Sequence, residues 1–355
     1  MPKKLPSFSK KLITWYLENK RALPWRETEE PYPIWLSEVI LQQTRVAQGI
    51  PYYLKFLEAF PTVQALAQAP QAEVLKLWQG LGYYSRARNL HAAAKIVAFE
   101  RKGEFPQTYG ELLELKGVGD YTASAIASIC YGEPTAVVDG NVYRVLSRIF
   151  GIDTPINSIE GAKQFKELAQ TLLDKSQPGT YNQAIMEFGA RYCVPQTPDC
   201  NGCQFKEDCK AYQWDAVAAL PVKLKKTMIR KRYFNYIVIV SNDDKTVLEQ
   251  RTGNGIWRQL YEFPLVETKS GVGLRGLRDN DLFKEYKERF AIQKVILYNE
   301  EPIVHKLSHQ HLHTRFWIAE TEALGNNGIP FGEVQRFPVP VLIENFIGQF
   351  SVFSP

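Results

Sequence analysis

A chain of 355 residues is long enough for two domains that each bury a core without covalent staples, so its five cysteines are not the framework of a miniature disulfide fold. Forty-three Lys and Arg against 38 Asp and Glu give a formal net charge of +5, a tilt compatible with nucleic acid but shared by many enzymes. The most apolar short run, Tyr236 to Val240, is far too short to span a bilayer, and the N-terminus has no uninterrupted apolar core of a secretory signal. The expectation is an intracellular, reducing, cytoplasmic setting with no membrane partner.

From residue 8 to about 213, apolar residues recur at helical spacing between Pro and Gly punctuation, which predicts an all-α region over 1–215. Within it, Tyr109–Leu115, Lys116–Gly119 and Asp120–Ile126 read as helix, glycine hairpin, helix. Gly117 and Gly119 permit positive φ and carry no side chains, so backbone N–H groups at the start of the next helix can face a phosphate; an ordinary glycine-capped turn has the same spelling.

Cys193, Cys200, Cys203 and Cys209 then follow as C-x6-C-x2-C-x5-C. Four thiolates this close suit a zinc ion or an iron-sulfur cluster. Only one tight C-x2-C hook is present, and this asymmetry favours a [4Fe-4S] cluster. Arg191, Lys206 and Lys210 surround the ligands with positive charge, which fits a structural cluster shaping a basic loop better than an electron carrier.

Residues 216–231 read as a linker. Lys223, Lys225, Lys226, Arg230, Lys231 and Arg232 bring six positive charges with no acid between Pro221 and Arg232, suited either to phosphates or to a solvated connector. Beyond it, 232–355 reads as α+β: a strand over Tyr233–Ser241, a turn over Asn242–Lys245, a return strand over Thr246–Arg251, a helix over Asp279–Phe290 and further strands between Lys294 and Glu320. His309, His311 and His313 alternate, so a strand would place them on one face. An exposed strand explains them better than a metal site, since no acid or cysteine completes a coordination sphere.

The hairpin, Val138–Val142 and the cysteine spacing together resemble the endonuclease III superfamily of DNA glycosylases. Leu23-Pro-Trp-Arg26, Trp35-Leu-Ser-Glu38, Leu41-Gln-Gln-Thr44 and Gly80–His91 are similar to the MutY-type adenine glycosylases within it, and Gly255–Pro264 resembles their Nudix-like C-terminal domain. The resemblance implies a multidomain protein with a helical helix-hairpin-helix domain, a [4Fe-4S] loop and an α+β Nudix-like domain. It also implies excision of adenine opposite 8-oxoguanine or guanine in double-stranded DNA by a monomeric enzyme. Two departures stand out: Lys116 where proline is common, and Leu307 where phenylalanine is common. The 279–290 helix lacks the R-E-x-x-E-E acids of a Nudix hydrolase, so the second domain is expected to bind without hydrolysing. The rival readings are a thymine or uracil mismatch glycosylase and a catalytically silent DNA-binding protein.

Base excision calls for two carboxyl groups of opposite protonation state. On a helical wheel Glu38 falls at the edge of the face carrying Trp35, Leu36, Val39 and Ile40, where desolvation raises its pKa. Asp139 precedes a helix start and, as an N-cap, is expected to stay ionised. The resemblance assigns Glu38 the protonation of adenine and the handling of water, Asp139 the sugar cation, and Asn141 the orientation of Asp139. Tyr121 stands where strand-cutting relatives carry a Schiff-base lysine, so a monofunctional glycosylase is expected. A helix running on to Gln43 would place its amide in the apolar face, so the helix is expected to end near Gln42 and free Gln43 and Thr44 to enter the duplex. By the same resemblance Tyr83 is the second intruding residue, Trp25, Arg26 and Gln183 line the adenine pocket, and Ser308 and His309 belong to the loop that recognises 8-oxoguanine.

Overall fold

The computed structural model describes residues 5–224 and 229–353, with side chains from Ser7 onward. Lys225 and Lys226 of the basic linker lie outside the described residues. The chain divides into two compact units, residues 1–68 with 89–225, and residues 69–88 with 226–355. The second grouping draws in an internal stretch for specific reasons: Tyr84 Oη donates to the Val339 carbonyl, Val339 N donates to Gln79 Oε1, and Arg88 Nη1 donates to the Arg258 carbonyl. No helix among the described residues is long and apolar enough to cross a membrane.

The helices in chain order are α1 (Leu5–Asn19), α2 (Pro31–Leu41), α3 (Val46–Ala59), α4 (Val63–Gln68), α5 (Gln71–Leu77), α6 (Ser85–Lys95) and α7 (Tyr109–Leu113). There follow α8 (Asp120–Tyr131), α9 (Gly140–Phe150), α10 (Ile159–Leu172), α11 (Pro178–Arg191) and α12 (Lys210–Gln213). In the first unit α8 packs against α2, α7 and α11, and α9 against α11 and α12. The spacing of Val142, Val145, Leu146 and Ile149 gives α9 one apolar stripe, which buries against Phe165, Ile185 and Phe188. Start signals are local: a Thr108/Glu111 capping box opens α7, and Asp139 caps α9.

The second unit is built on a sheet of order β5-β1-β8-β6, with β7 also paired to β8. Its strands are β1 (Arg230–Ser241), β2 (Lys245–Thr246), β3 (Glu249–Gln250), β4 (Tyr261–Glu262), β5 (Leu265–Thr268), β6 (Lys294–Leu297), β7 (Ile303–Lys306), β8 (Gln310–Thr321) and β9 (Ile329–Pro330). The helices here are α13 (Leu274–Arg278), α14 (Asp281–Arg289) and α15 (Val341–Gln349). β1 and β8 run parallel over their full lengths, from Arg230 opposite Gln310 to Ser241 opposite Thr321. Phe234–Ile239 is therefore buried without alternation, as befits a central strand covered on both faces. The expected return strand over 246–251 does not pair with β1: β2 pairs with β9 and β3 with β4, while β1 takes β5 and β8 as neighbours. His309 precedes β8, so only His311 and His313 share a strand face, and among the described residues no three His, Cys, Asp or Glu side chains form a group that could hold a metal ion.

Candidate active site and nucleic-acid interface

The helix carrying Glu38 ends where the amide of Gln43 would otherwise be buried. Its last residue is Leu41, Gln42 is the C-cap with Nε2 on Thr122 Oγ1 at 3.1 Å, and Gln43 turns to φ +59° with an exposed side chain. Thr44 follows, partly exposed. Upstream, Trp35, Leu36 and Ile40 are fully buried and Glu38 goes inside with them, at 8% exposure. Burial raises the Glu38 carboxyl to about 7, opposed by a hydrogen bond with Tyr121, reinforced by the charge of Asp139 and opposed by that of Arg26. The Tyr121 hydroxyl also lies 3.0 Å from Met186 Sδ, and burial together with the two carboxyl groups holds its pKa well above the ordinary value.

Asp139 is a fully used N-cap. Its Oδ1 accepts from the backbone N–H groups of Asn141 and Val142, both at 2.8 Å, and its Oδ2 accepts from Asn141 Nδ2 at 2.8 Å. Burial nonetheless pushes its pKa upward, against those bonds and the nearby Arg144. Desolvation thus adds a cost to the charged form that the N-cap reading of the sequence does not include. The contrast between the two carboxyl groups survives: three N–H donors favour the charged form of Asp139, whereas Glu38 has one tyrosine.

Arg144 ties this cap to the cysteine segment. Its Nη2 donates to Asn141 Oδ1 at 2.9 Å and to the Gly189 carbonyl at 2.6 Å, while Nε donates to the Cys193 carbonyl at 2.8 Å. Gly189 is needed for this approach, since a Cβ there would stand 2.7 Å from Asn141 Cβ.

α11 supplies Gln183 and, one turn later, Glu187, which holds the Arg26 whose charge acts on Glu38. Glu187 is 1% exposed, and burial pushes its pKa up, but the guanidinium groups of Arg21 and Arg26 outweigh that and bring it down to about 2. Arg21 bonds it through Nε at 2.7 Å and Nη2 at 2.6 Å, and Arg26 through Nη2 at 2.8 Å. Trp25 is buried edge-on to Tyr53.

The hairpin after α7 uses its two glycines differently. Gly117 has φ +83°, and a Cβ there would come 2.6 Å from Asn89 Cβ; Gly119 has φ −101° and is the extended N-cap of α8, with open space where its Cβ would be. Positive φ is thus required at Gly117 alone, and Gly119 serves by leaving the α8 N-terminus uncovered.

Four free thiols, Cys193, Cys200, Cys203 and Cys209, line one small cavity of about 30 Å³ with Arg148, Tyr192 and Lys206. Burial and the neighbouring sulfurs push Cys200, Cys203 and Cys209 upward, Cys203 to about 11. Arg148, 2% exposed, donates to the Val194 and Pro195 carbonyls and lies 3.5 Å from Cys193 Sγ; Phe205 N donates to Cys203 Sγ at 3.4 Å. Soft donors lining one cavity, with N–H groups directed at two of the sulfurs, are the donor set an iron-sulfur cluster would take, although as placed among the described residues no three of the four form a group that could hold a metal ion.

In the second unit a cavity of about 780 Å³ brings together Tyr83, Ser308 and His309 with Arg230, Arg232 and Trp257. Tyr83 is 52% exposed at φ +46°. Ser308 and His309 form the exposed tip of the β7–β8 hairpin, closed by Leu307 N on the Gln310 carbonyl at 2.9 Å.

The chain is similar to known proteins over most of its length. Residues 36–174 match the HhH-GPD superfamily of base excision DNA repair proteins, and residues 235–349 match the NUDIX domain. An adenine DNA glycosylase of Buchnera aphidicola subsp. Baizongia pistaciae is 34% identical over 314 residues, covering 88% of this chain and 86% of the relative. The chain belongs to the adenine DNA glycosylase family.

The adenine DNA glycosylase of Homo sapiens is 47% identical over 216 residues, which is 58% of this chain and 40% of that protein. Among solved structures, a thermostable thymine-DNA glycosylase superposes with a TM-score of 0.56 at 30% identity, covering 60% of this chain and 98% of its own. A trapped endonuclease III–DNA covalent intermediate gives 0.53 at 20% identity over 61% and 98%, a likeness of fold alone. The protein is therefore a DNA N-glycosylase of base excision repair. Reading this glycosylase by sequence missed Arg144, Tyr16, Arg21 and Glu187. A signal was available for two of them, since Glu187 lies four residues after Gln183 and Arg144 three after Asn141, on the same helix faces.

Proposed function

We propose that the enzyme hydrolyses the N-glycosidic bond of adenine mispaired with 8-oxoguanine, or with guanine, in duplex DNA, as a monomer and without strand cleavage. The observation that carries this reading is a buried Glu38 whose carboxyl sits near 7 beside an Asp139 held by three N–H bonds. Glu38 enters the reaction protonated and delivers its proton to a ring nitrogen of adenine. As the C–N bond breaks, positive charge develops on the sugar, and Asp139, oriented by Asn141, stabilises it. Glu38, now a carboxylate, takes a proton from the attacking water. Tyr121 bonds Glu38 and, being a phenol, forms no Schiff base with the abasic sugar.

Trp25, Arg26 and Gln183 line the adenine pocket. Gln43, Thr44 and Tyr83 fill the stack the base leaves, and backbone groups between Gly117 and Gly119 hold phosphate. Ser308 and His309 read the opposing 8-oxoguanine. Cys193, Cys200, Cys203 and Cys209 hold a [4Fe-4S] cluster, which supplies a rigid charged frame for the loop and no redox step. Such work lies on intracellular DNA. The likeness to a thymine-DNA glycosylase favours, as a second reading, removal of mispaired thymine.

Single-turnover incubation with duplex carrying adenine opposite 8-oxoguanine tests this. The account predicts breakage at that adenine only after alkali and its loss in Glu38→Gln. Release of thymine from a guanine mispair with adenine untouched overturns it in favour of the second reading.

A further inference from the structure

Tyr16 is 4% exposed inside the apolar cluster that includes Phe8, Leu12, Ala184 and Phe188. Packing in that cluster needs its ring, and a phenylalanine would fill nearly the same volume. The hydroxyl is the part the core does not need, since an apolar site tolerates a phenol only where its O–H finds a partner. That partner is Gln183: Tyr16 Oη donates to Gln183 Oε1 at 2.6 Å, the short end of the range for such bonds. Burial raises the Tyr16 pKa, so the proton needed for donation stays on the oxygen.

The ring itself lies under Arg26, whose guanidinium carbon stands 5.4 Å from the ring centroid while its Nη2 is held by Glu187 at 2.8 Å. One buried side chain on α1 thus touches both polar members of the base pocket. A glutamine amide presents opposite polarities at its two ends, and rotation by half a turn exchanges donor for acceptor at the base.

We propose that Tyr16 is a positioning residue of the base pocket, fixing the orientation of the Gln183 amide through its hydroxyl and seating Arg26 on its ring. The inference rests on the reading of Gln183 and Arg26 as residues that contact the excised base. By it, the hydroxyl acts on catalysis solely through Gln183.

A double-mutant cycle on the full chain tests this, with Tyr16→Phe, Gln183→Ala and the double variant assayed for adenine release at saturating enzyme on duplex carrying adenine opposite 8-oxoguanine. Tyr16→Phe is expected to slow release about tenfold, the scale of one lost hydrogen bond, with duplex affinity and melting temperature unchanged. The double variant is expected to be no slower than Gln183→Ala alone. Multiplying effects, a wild-type rate for Tyr16→Phe, or a loss explained by a lowered melting temperature would overturn the assignment. If Gln183→Ala itself releases adenine at the wild-type rate, the base-pocket reading falls and takes this inference with it; an effect in Gln183→Ala without one in Tyr16→Phe overturns the inference alone.

Discussion

In the helical unit Glu38 is 8% exposed and Asp139 is tied by three N–H donors, whereas the cavity of the sheet unit is walled by a Tyr83 that is 52% exposed and by the tip of a hairpin. The proposed function accounts for the difference. A carboxylic acid that must keep a proton at neutral pH has to be desolvated, and a desolvated charge has to be held by fixed donors. A surface that inspects a base inside DNA has to reach it, so its side chains stand out from loops and gain their contacts from the partner.

Sharp differences in mutational response test that contrast. Glu38→Gln is expected to lower single-turnover adenine release by about 10³-fold, within the range for a lost general acid, with duplex binding retained. The same change is expected to stabilise the protein. A folded-state pKa of about 7 against the ordinary 4.5 means that Glu38 favours folding fully below pH 4.5 and loses that contribution as pH rises through 7. Glutamine never ionises, so its advantage grows between pH 5 and 8 toward about 3 kcal/mol, at 1.36 kcal/mol per pKa unit; urea denaturation at both pH values measures it.

Arg144→Gln leaves the carbonyls of Gly189 and Cys193 without a donor and removes the bond to Asn141 Oδ1, leaving that side chain only its Nδ2 bond to Asp139. It is expected to lower stability by about 2–3 kcal/mol and to slow adenine release, measured by denaturation and by single-turnover rate. Gly117→Ala forces φ +83° on a residue with a Cβ and presses it onto Asn89, so duplex affinity is expected to fall about tenfold for any sequence, a loss of phosphate contact that titration with undamaged DNA detects. The smallest effects belong to the open cavity. Tyr83→Ala and His309→Ala are each expected to change the preference for 8-oxoguanine over guanine about fivefold, on the scale of one exposed contact, with the rate at saturating enzyme on the better substrate unchanged.

Much of the site was legible because its signals are local. Ending α2 before Gln43 follows from the cost of burying an amide, and Asp139 before Gly140-Asn-Val announces a cap. The misreadings came where partners are distant. Val247 and Leu248 are buried and look like a return strand, yet β1 pairs in parallel with β8, some seventy residues on, and no local pattern encodes that ladder. The cap of Asp139 is spelled locally, but the burial that raises its pKa is created by packing and has no local spelling. Gly119 shares its spelling with Gly117 but not its dihedral, since a glycine can be selected for the space it leaves as well as for the conformation it allows.

The central claim is that burial keeps Glu38 protonated close to neutral pH. Carboxyl carbon-13 NMR of glutamate-labelled protein, with Glu38→Gln to assign the resonance, measures this directly. The account predicts a titration midpoint near 7, and a midpoint near 4.5 would contradict it.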